Sequence, residues 1–315
     1  MSQNTNQPSF SFDALIPADM ALKAQQTGIK KAALGGLTTF ALAVLAGAFI
    51  ALGAVFCTTI MAGSTAATGA TEATSIPPYG VTRLLGGLTF CLGLILVVVA
   101  GAELFTGNNL IVMAWANRQV STSKLLRNWV IVYLGNFVGS IATAIILFLS
   151  KQYISGNNAV GLTALSIANT KAGLDFIPAL MLGVMCNALV CLAIWLCFSA
   201  RSTTDKILSI LFPITAFVAI GFEHSIANMY FIPIGLLIKE FAAPEFWDAI
   251  GKTTASYSNL TVDAFFLKNL LPVTIGNIIG GAGMVGVMYW FVYLRPKAGS
   301  APAPAAKEPA QSDNK

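Results

Sequence analysis

Six stretches of this chain are long and apolar enough to cross a lipid bilayer. They run at roughly 32–62, 84–116, 125–150, 173–199, 207–238 and 270–294, and a helix needs about 20 mainly apolar residues to traverse the hydrocarbon core. Backbone polar groups find no water there, so a spanning segment must be a helix or part of a closed barrel. These runs are continuous rather than alternating, which argues against an outer-membrane barrel. Gly and Ala recur within them and suit close helix packing in lipid. The expected fold class is an all-α polytopic membrane protein with six transmembrane helices.

Composition agrees. Charged residues make up 10% of the chain, against roughly a quarter in a soluble domain. The 18 Lys and Arg are dispersed and the net charge is only +5, so no phosphate-tracking surface and no nucleic-acid partner are expected. Cys57, Cys91, Cys186, Cys191 and Cys197 all fall within spans and form no CxxC pair, and the chain has one histidine. That pattern gives no metal site and no disulfide scaffold. There is no phosphate-binding loop and no positioned nucleophile with an acid partner, so neither a cofactor nor an enzyme activity is expected.

The basic residues alternate between loops. Lys23, Lys30, Lys31, Arg118, Lys124, Arg127, Arg201, Lys206, Arg295, Lys297, Lys307 and Lys315 form one set. Arg83, Lys151, Lys171, Lys239, Lys252 and Lys268 form the other. Positive-inside logic puts both termini in the cytoplasm, and an even number of spans agrees. Trp115, Trp129, Trp195 and Trp290 lie near span ends, as an aromatic belt would. Three regions follow. Residues 1–31 carry an amphipathic surface helix within Phe12–Lys31, where Pro17-Ala-Asp-Met-Ala-Leu fits a helix start with proline in the first turn. Residues 32–295 form the six-span domain. Residues 296–315 are an Ala/Pro-rich, then polar, disordered tail. The Ala-, Thr-, Ser- and Gly-rich stretch Gly63–Pro78 reads as a flexible outer loop.

Two halves of the chain echo each other. Gly101-Ala-Glu103-Leu-Phe-Thr-Gly-Asn108 sits inside the second span, and Gly221-Phe-Glu223-His-Ser-Ile-Ala-Asn228 inside the fifth. Gly, Glu and Asn match in register. Asn128, Gly135, Asn136 and Gly139 of span three likewise match Asn269, Gly276, Asn277 and Gly280 of span six. Each half holds three spans, an odd number, so the halves must be inverted in the membrane. Such repeats carry a site near the midplane between discontinuous helices, and non-helical backbone at that depth survives only beside a cavity or protein. Helices two and five are expected to break at these segments.

Glu103, Glu223 and His224 are the readily titratable side chains within the spans, and ionisable groups there are costly and functional by default. His224 reads either as a satisfied core histidine or as a pore residue able to give a hydrogen bond or a proton to an anion; its place at a helix break favours the pore. Glu103 and Glu223 could line a cation path. Their matched positions favour a structural role instead, accepting backbone N–H groups freed by the break. Phe90 and Leu94 share a helix face at four-residue spacing, and Phe217 stands seven residues before His224. These fit a hydrophobic gate or ordinary core. Lys171 precedes span four, as a solvated loop residue or as a charge that concentrates anions at a pore mouth.

At these residues the chain resembles the formate/nitrite transporter family, the bacterial formate channels most of all. The resemblance rests on Val98-Val-Ala-Gly-Ala-Glu-Leu-Phe-Thr-Gly107, Gly183-Val-Met-Cys-Asn187-Ala-Leu-Val-Cys-Leu-Ala193, Gly221-Phe-Glu-His-Ser-Ile-Ala-Asn-Met229 and Asn269-Leu-Leu-Pro-Val-Thr-Ile-Gly-Asn277-Ile-Ile-Gly280. It implies an aquaporin-like fold in a homopentamer, each protomer with its own pore, in a bacterial inner membrane. It puts the family's central Thr and His on Thr106 and His224, its characteristic Asn positions on Asn187 and Asn277, and its vestibule Lys on Lys171. Phe90, Leu94 and Phe217 would form the outer constriction, and Leu104, Phe105 and Val190 the inner one. Glu103 stands where enterobacterial formate channels tend to have Asp, and Gly107-Asn108 where small hydroxyl residues are usual. The implied cargo is a small monovalent weak-acid anion, formate first; nitrite, hydrosulfide, acetate, lactate and a neutral solute are the alternatives. Whether His224 transfers a proton or stays neutral is open at this level.

Overall fold

A computed structural model describes residues 13–63 and 77–295. Residues 64–76 of the expected outer loop, Phe12 of the expected surface helix and the expected tail 296–315 lie outside them. Among the described residues every regular element is helical. Six helices are long and apolar enough to cross a membrane.

The chain opens with α1, Pro17–Ala33, whose first turn holds Pro17 and Asp19 and whose last holds Lys30 and Lys31. That charge order matches the helix dipole. Helix α1 begins at Pro17, where the sequence offers a helix start, because proline's fixed φ suits the first helical position. It is more than a surface helix: Met20, Ala21, Ala24, Gly28 and Ala32 are buried. The first spanning helix, α2, is Gly36–Met61. Helix α3 covers Tyr79–Gly101 and finishes in a π-helical turn over Leu96–Gly101. The chain is then non-helical until α4, built from Phe105–Asn108, Asn109–Ile111 and Val112–Ala116. Helix α5, Thr122–Leu149, starts at Ser121, whose side chain accepts the Lys124 N–H.

Helix α6, Ala159–Ala172, precedes the spanning helix α7, Phe176–Ser199. Helix α8, Thr203–Ile220, starts from a reciprocal capping box between Ser202 and Asp205. After residues 221–224 comes α9, Ser225–Phe241, and then the short α10, Pro244–Ile250, turned by 108° from it. Helix α11, Ala264–Leu294, closes the fold. Its turns are widened to π geometry over Ala264–Leu270 and Ile279–Val287.

The expected apolar runs 84–116 and 207–238 are thus each two helices. Gly101 and Gly221 take positive φ values of +84° and +92°, a backbone state open to glycine at little cost. Helix pairs α2/α5 and α7/α11 lie backbone to backbone, since a Cβ at Gly139 would collide with the Val44 carbonyl oxygen and one at Gly280 with that of Val184. The interval before α7, read as a loop, contains α6, which packs on α9. Trp195 does not sit in an interfacial belt: it is buried and stacks on Tyr289 with ring centroids 4.0 Å apart. Trp129 also faces inward, donating Nε1–H to the Asn108 carbonyl.

Candidate functional site

The two interrupted segments meet in the middle of the molecule. Leu104 and His224 are the extended residues from which α4 and α9 start. Their helix N-termini approach each other, with Thr106 Oγ1 2.9 Å from His224 Nε2. Both residues are buried.

His224 is held by its other nitrogen. Nδ1 accepts the Ala227 N–H at 3.1 Å and so caps α9. A backbone N–H can only donate, so Nδ1 carries no proton and the neutral ring bears its hydrogen on Nε2, facing Thr106. The Phe217 ring lies against the imidazole, centroids 5.9 Å apart. The two residues are neighbours as the seven-residue spacing suggested, but by a different route: α8 ends at Ile220 and the chain turns back at Gly221.

Around each interruption the same bonds recur. Asn136 Oδ1 accepts the Phe105 N–H, and its Nδ2 donates to the carbonyls of Ala43 and Glu103. Asn277 Oδ1 accepts the Ser225 N–H, and its Nδ2 donates to the carbonyls of Gly183 and Glu223. The backbone N–H groups freed at Phe105 and Ser225 therefore go to asparagines, not to Glu103 and Glu223 as the sequence suggested. The carboxylates have other partners. Glu103 accepts from Lys31 Nζ at 2.7 Å and from Asn108 Nδ2 at 2.6 Å. Glu223 accepts from Lys171 Nζ at 2.7 Å and from Asn228 Nδ2 at 2.7 Å. Asn128 and Asn269 complete the sets by bonding Asn108 and Asn228 and the carbonyls of Lys31 and Lys171. A buried charge survives only when paired and hydrogen-bonded, and here both ions of each pair are.

Lys171 is thus neither in a loop nor free. It sits in the last turn of α6, paired to Glu223, with its ammonium 5.5 Å from the centre of the Phe231 ring. Lys31, read only as a topology-setting charge, is its counterpart.

Two cavities approach the central pair. One, of about 370 Å³, is lined by Arg83, Phe90, Lys171, Phe217, Glu223 and His224 among others. The other, of about 470 Å³, lies beside α1; its walls include Lys23, Lys31, Glu103, Leu104, Gly107 and Lys206. Lys23 donates to the Phe198 carbonyl there. Burial, then the charges of Arg201 and Lys206, hold its ammonium below the ordinary lysine value.

Large apolar side chains stand in the walls of both cavities. Phe90 meets Phe217 edge to face at 5.5 Å and stacks on Phe231 at 6.3 Å, while Leu104, 2% exposed, lines the other cavity. The remaining expected residues lie off the cavity walls. Phe105 packs against Trp129 and Tyr133. Leu94 and Val190 are buried in the surrounding core. Asn187 Nδ2 is engaged with Asn109 Oδ1 and with the carbonyls of Asn277 and Thr106. Asn187 and Asn277 both hold protein rather than point into either cavity. Sequence reasoning missed Lys31 and Arg83 as cavity residues; for Lys31 a signal was at hand, since the helices before α2 and α7 each carry a lysine in the last turn.

Comparison with known proteins gives a consistent result. A family model described as formate/nitrite transporter matches residues 18–291. The formate channel FocA of Escherichia coli strain K12 is 46% identical over 284 residues, covering 90% of this chain and 96% of the relative. FocA of Haemophilus influenzae is 42% identical, with 87% and 93% covered. A solved pentameric formate channel with formate bound superposes with a TM-score of 0.76 at 45% identity, covering 82% of this chain and 98% of that one. A second structure, an FNT family ion channel, gives a TM-score of 0.71 at 28% identity, with 87% and 98% covered.

Proposed function

The chain belongs to the formate/nitrite transporter family, and from that premise we propose that it passes small monovalent weak-acid anions, formate foremost, across a bacterial inner membrane. Each copy carries its own pore, and five copies assemble as in the pentameric channel it resembles. It is a membrane channel rather than an enzyme.

One observation carries the reading. The Thr106–His224 hydrogen bond joins two residues buried between two cavities, one lined by His224 itself beside Phe90 and Phe217, the other by Leu104 and Gly107, the neighbours of Thr106 in the chain. An anion resists a dry constriction, because the effective desolvation penalty is several kcal/mol. Hydrogen-bond donors at the centre offset part of that cost. On this reading α3 with α4 and α8 with α9 are two discontinuous spans in inverted three-helix repeats, an aquaporin-like arrangement. The doubled Lys–Glu–Asn–Asn sets support it. Phe90 and Phe217 gate the Lys171 side, which faces outward, and Leu104 gates the α1 side, which faces the cytoplasm with both termini. Leu94, Phe105 and Val190 shape these constrictions from behind. Asn187 and Asn277 keep the two helix N-termini in place, and Glu103 and Glu223 fix the interruptions.

His224 acts as a neutral donor. With Nδ1 engaged by Ala227, the ring offers Nε2–H, and Thr106, once it accepts that hydrogen, can turn its own hydroxyl hydrogen to the anion. Protonating the ring would place a hydrogen on Nδ1 against the Ala227 N–H and remove the cap of α9. Proton transfer from His224 therefore disrupts the very helix start that presents it.

The test is formate flux into proteoliposomes across a pH series, wild type beside His224→Ala. A hydrogen bond to a charged group contributes about 1.5–3 kcal/mol, so flux is expected to fall roughly ten- to a hundred-fold while the shape of its pH dependence is kept. A pH dependence present in wild type and lost in the variant would establish proton transfer at His224 instead. Wild-type liposomes that carry no formate at any pH would move the assignment to another small anion or to a neutral solute.

A further inference from the structure

We infer that Arg83 is the anion-capturing residue of the Lys171-side cavity, holding the carboxylate of an incoming anion before it reaches Thr106 and His224. This deepens the proposed function and rests on it.

The cavity offers two cations. Lys171 is the obvious one, but its charge is cancelled at 2.7 Å by Glu223, and the two side chains are 16% and 4% exposed. Both Glu223 oxygens are occupied, one by Lys171 and the other by Asn228 and Asn269. Such a closed pair has little field left for an anion several ångströms away.

Arg83 differs in each respect. It lines the same cavity, is only half-buried and has no ion-pair partner among the described residues. Its bonds run to backbone: Nε donates to the Ala219 carbonyl at 3.1 Å and Nη2 to that of Val218. A guanidinium has further N–H donors in a rigid fork, and that fork matches a carboxylate in bidentate fashion. The carbonyls it holds matter as well. They belong to the last turn of α8, the negative end of that helix dipole, which would otherwise confront an anion at the cavity wall. Arg83 covers this end and replaces it with positive charge.

The neighbouring backbone is shaped for the guanidinium. A Cβ at Gly221 would come within 3.3 Å of Nη2, so the glycine that allows the turn also leaves room for the arginine. Glu223 and His224 follow directly in the chain. The capturing charge therefore sits at the turn that presents the central histidine.

The experiment measures formate exchange through the full-length protein in proteoliposomes, against formate concentration, in dilute and concentrated sulfate salt. The Debye length shrinks from about 30 Å at 0.01 M to about 3 Å at 1 M. Arg83→Gln is expected to raise the half-saturating concentration about three- to ten-fold, the scale of one partly screened charge, and to leave maximal flux near wild type. It should also abolish most of the salt dependence that wild type shows. Arg83→Lys keeps the charge without the fork; it should retain the salt dependence and lose part of the apparent affinity. A purely structural cap would lower maximal flux or yield without touching the salt dependence. The inference is overturned by wild-type exchange indifferent to salt, by Arg83→Gln with unchanged half-saturation, or, where that variant does not fold, by Arg83→Lys with wild-type affinity. Wild-type liposomes without formate exchange strike the proposed function itself; exchange with an indifferent Arg83→Gln strikes only this inference.

Discussion

At the scale of single residues, the buried carboxylates among the described residues, Glu103 and Glu223, each sit in a closed set. Removing one member of a buried ion pair costs about 3–5 kcal/mol, because the other is left unpaired. Lys171→Met is therefore expected to lower the thermal midpoint in detergent sharply, and Lys171→Met combined with Glu223→Gln to restore much of it. The matching pair is less enclosed, with Lys31 28% exposed, so Lys31→Met should cost less. Equal losses at the two lysines would contradict this account. Half of this arrangement was legible in the sequence. Glu103 and Glu223 announce themselves as carboxylates at matched places in apolar runs. Their partners do not, because Lys31 and Lys171 lie 72 and 52 residues away and look like flanking charges. The same distance hid the role of Asn136 and Asn277: their spacing marks a repeat, but only the folded chain brings their amides to the freed N–H groups of Phe105 and Ser225.

At the scale of elements, spanning helices were readable because lipid imposes a minimum apolar length. Helix α6 was not, since Ala159–Ala172 is short and moderately polar, and it folds by packing on α9 rather than by its own pattern. Trp195 misled for a related reason. Tryptophan at a span end commonly faces the interface, yet this one stacks on Tyr289. Glycine marks where helices touch, and this can be tested directly. Gly139→Ala and Gly280→Ala each drive a methyl group into a facing carbonyl, of Val44 and Val184 respectively. Overpacking of this kind costs about 1–3 kcal/mol, so both variants should unfold at lower temperature than wild type. Gly283→Ala is the control, because a Cβ there meets nothing within 4 Å; a control as unstable as the others would refute the contact argument.

At the scale of the whole molecule, the two ends of the pathway are electrically alike. Each cavity holds one neutral Lys–Glu pair, and each has further positive charge at its wall, Arg83 on one side and Lys23 with Lys206 on the other. The centre is a hydroxyl and a neutral ring. Both ends are therefore net positive around a neutral centre, so an anion meets attraction from either side, and the path acts more like a resistor than a diode. Currents across a planar bilayer in equal formate on both sides should be of similar size at opposite voltages, and several-fold rectification would refute this account. The traffic then has no preferred sense of its own: the same protein exports or imports according to which side of the membrane holds more of the anion and where the voltage points.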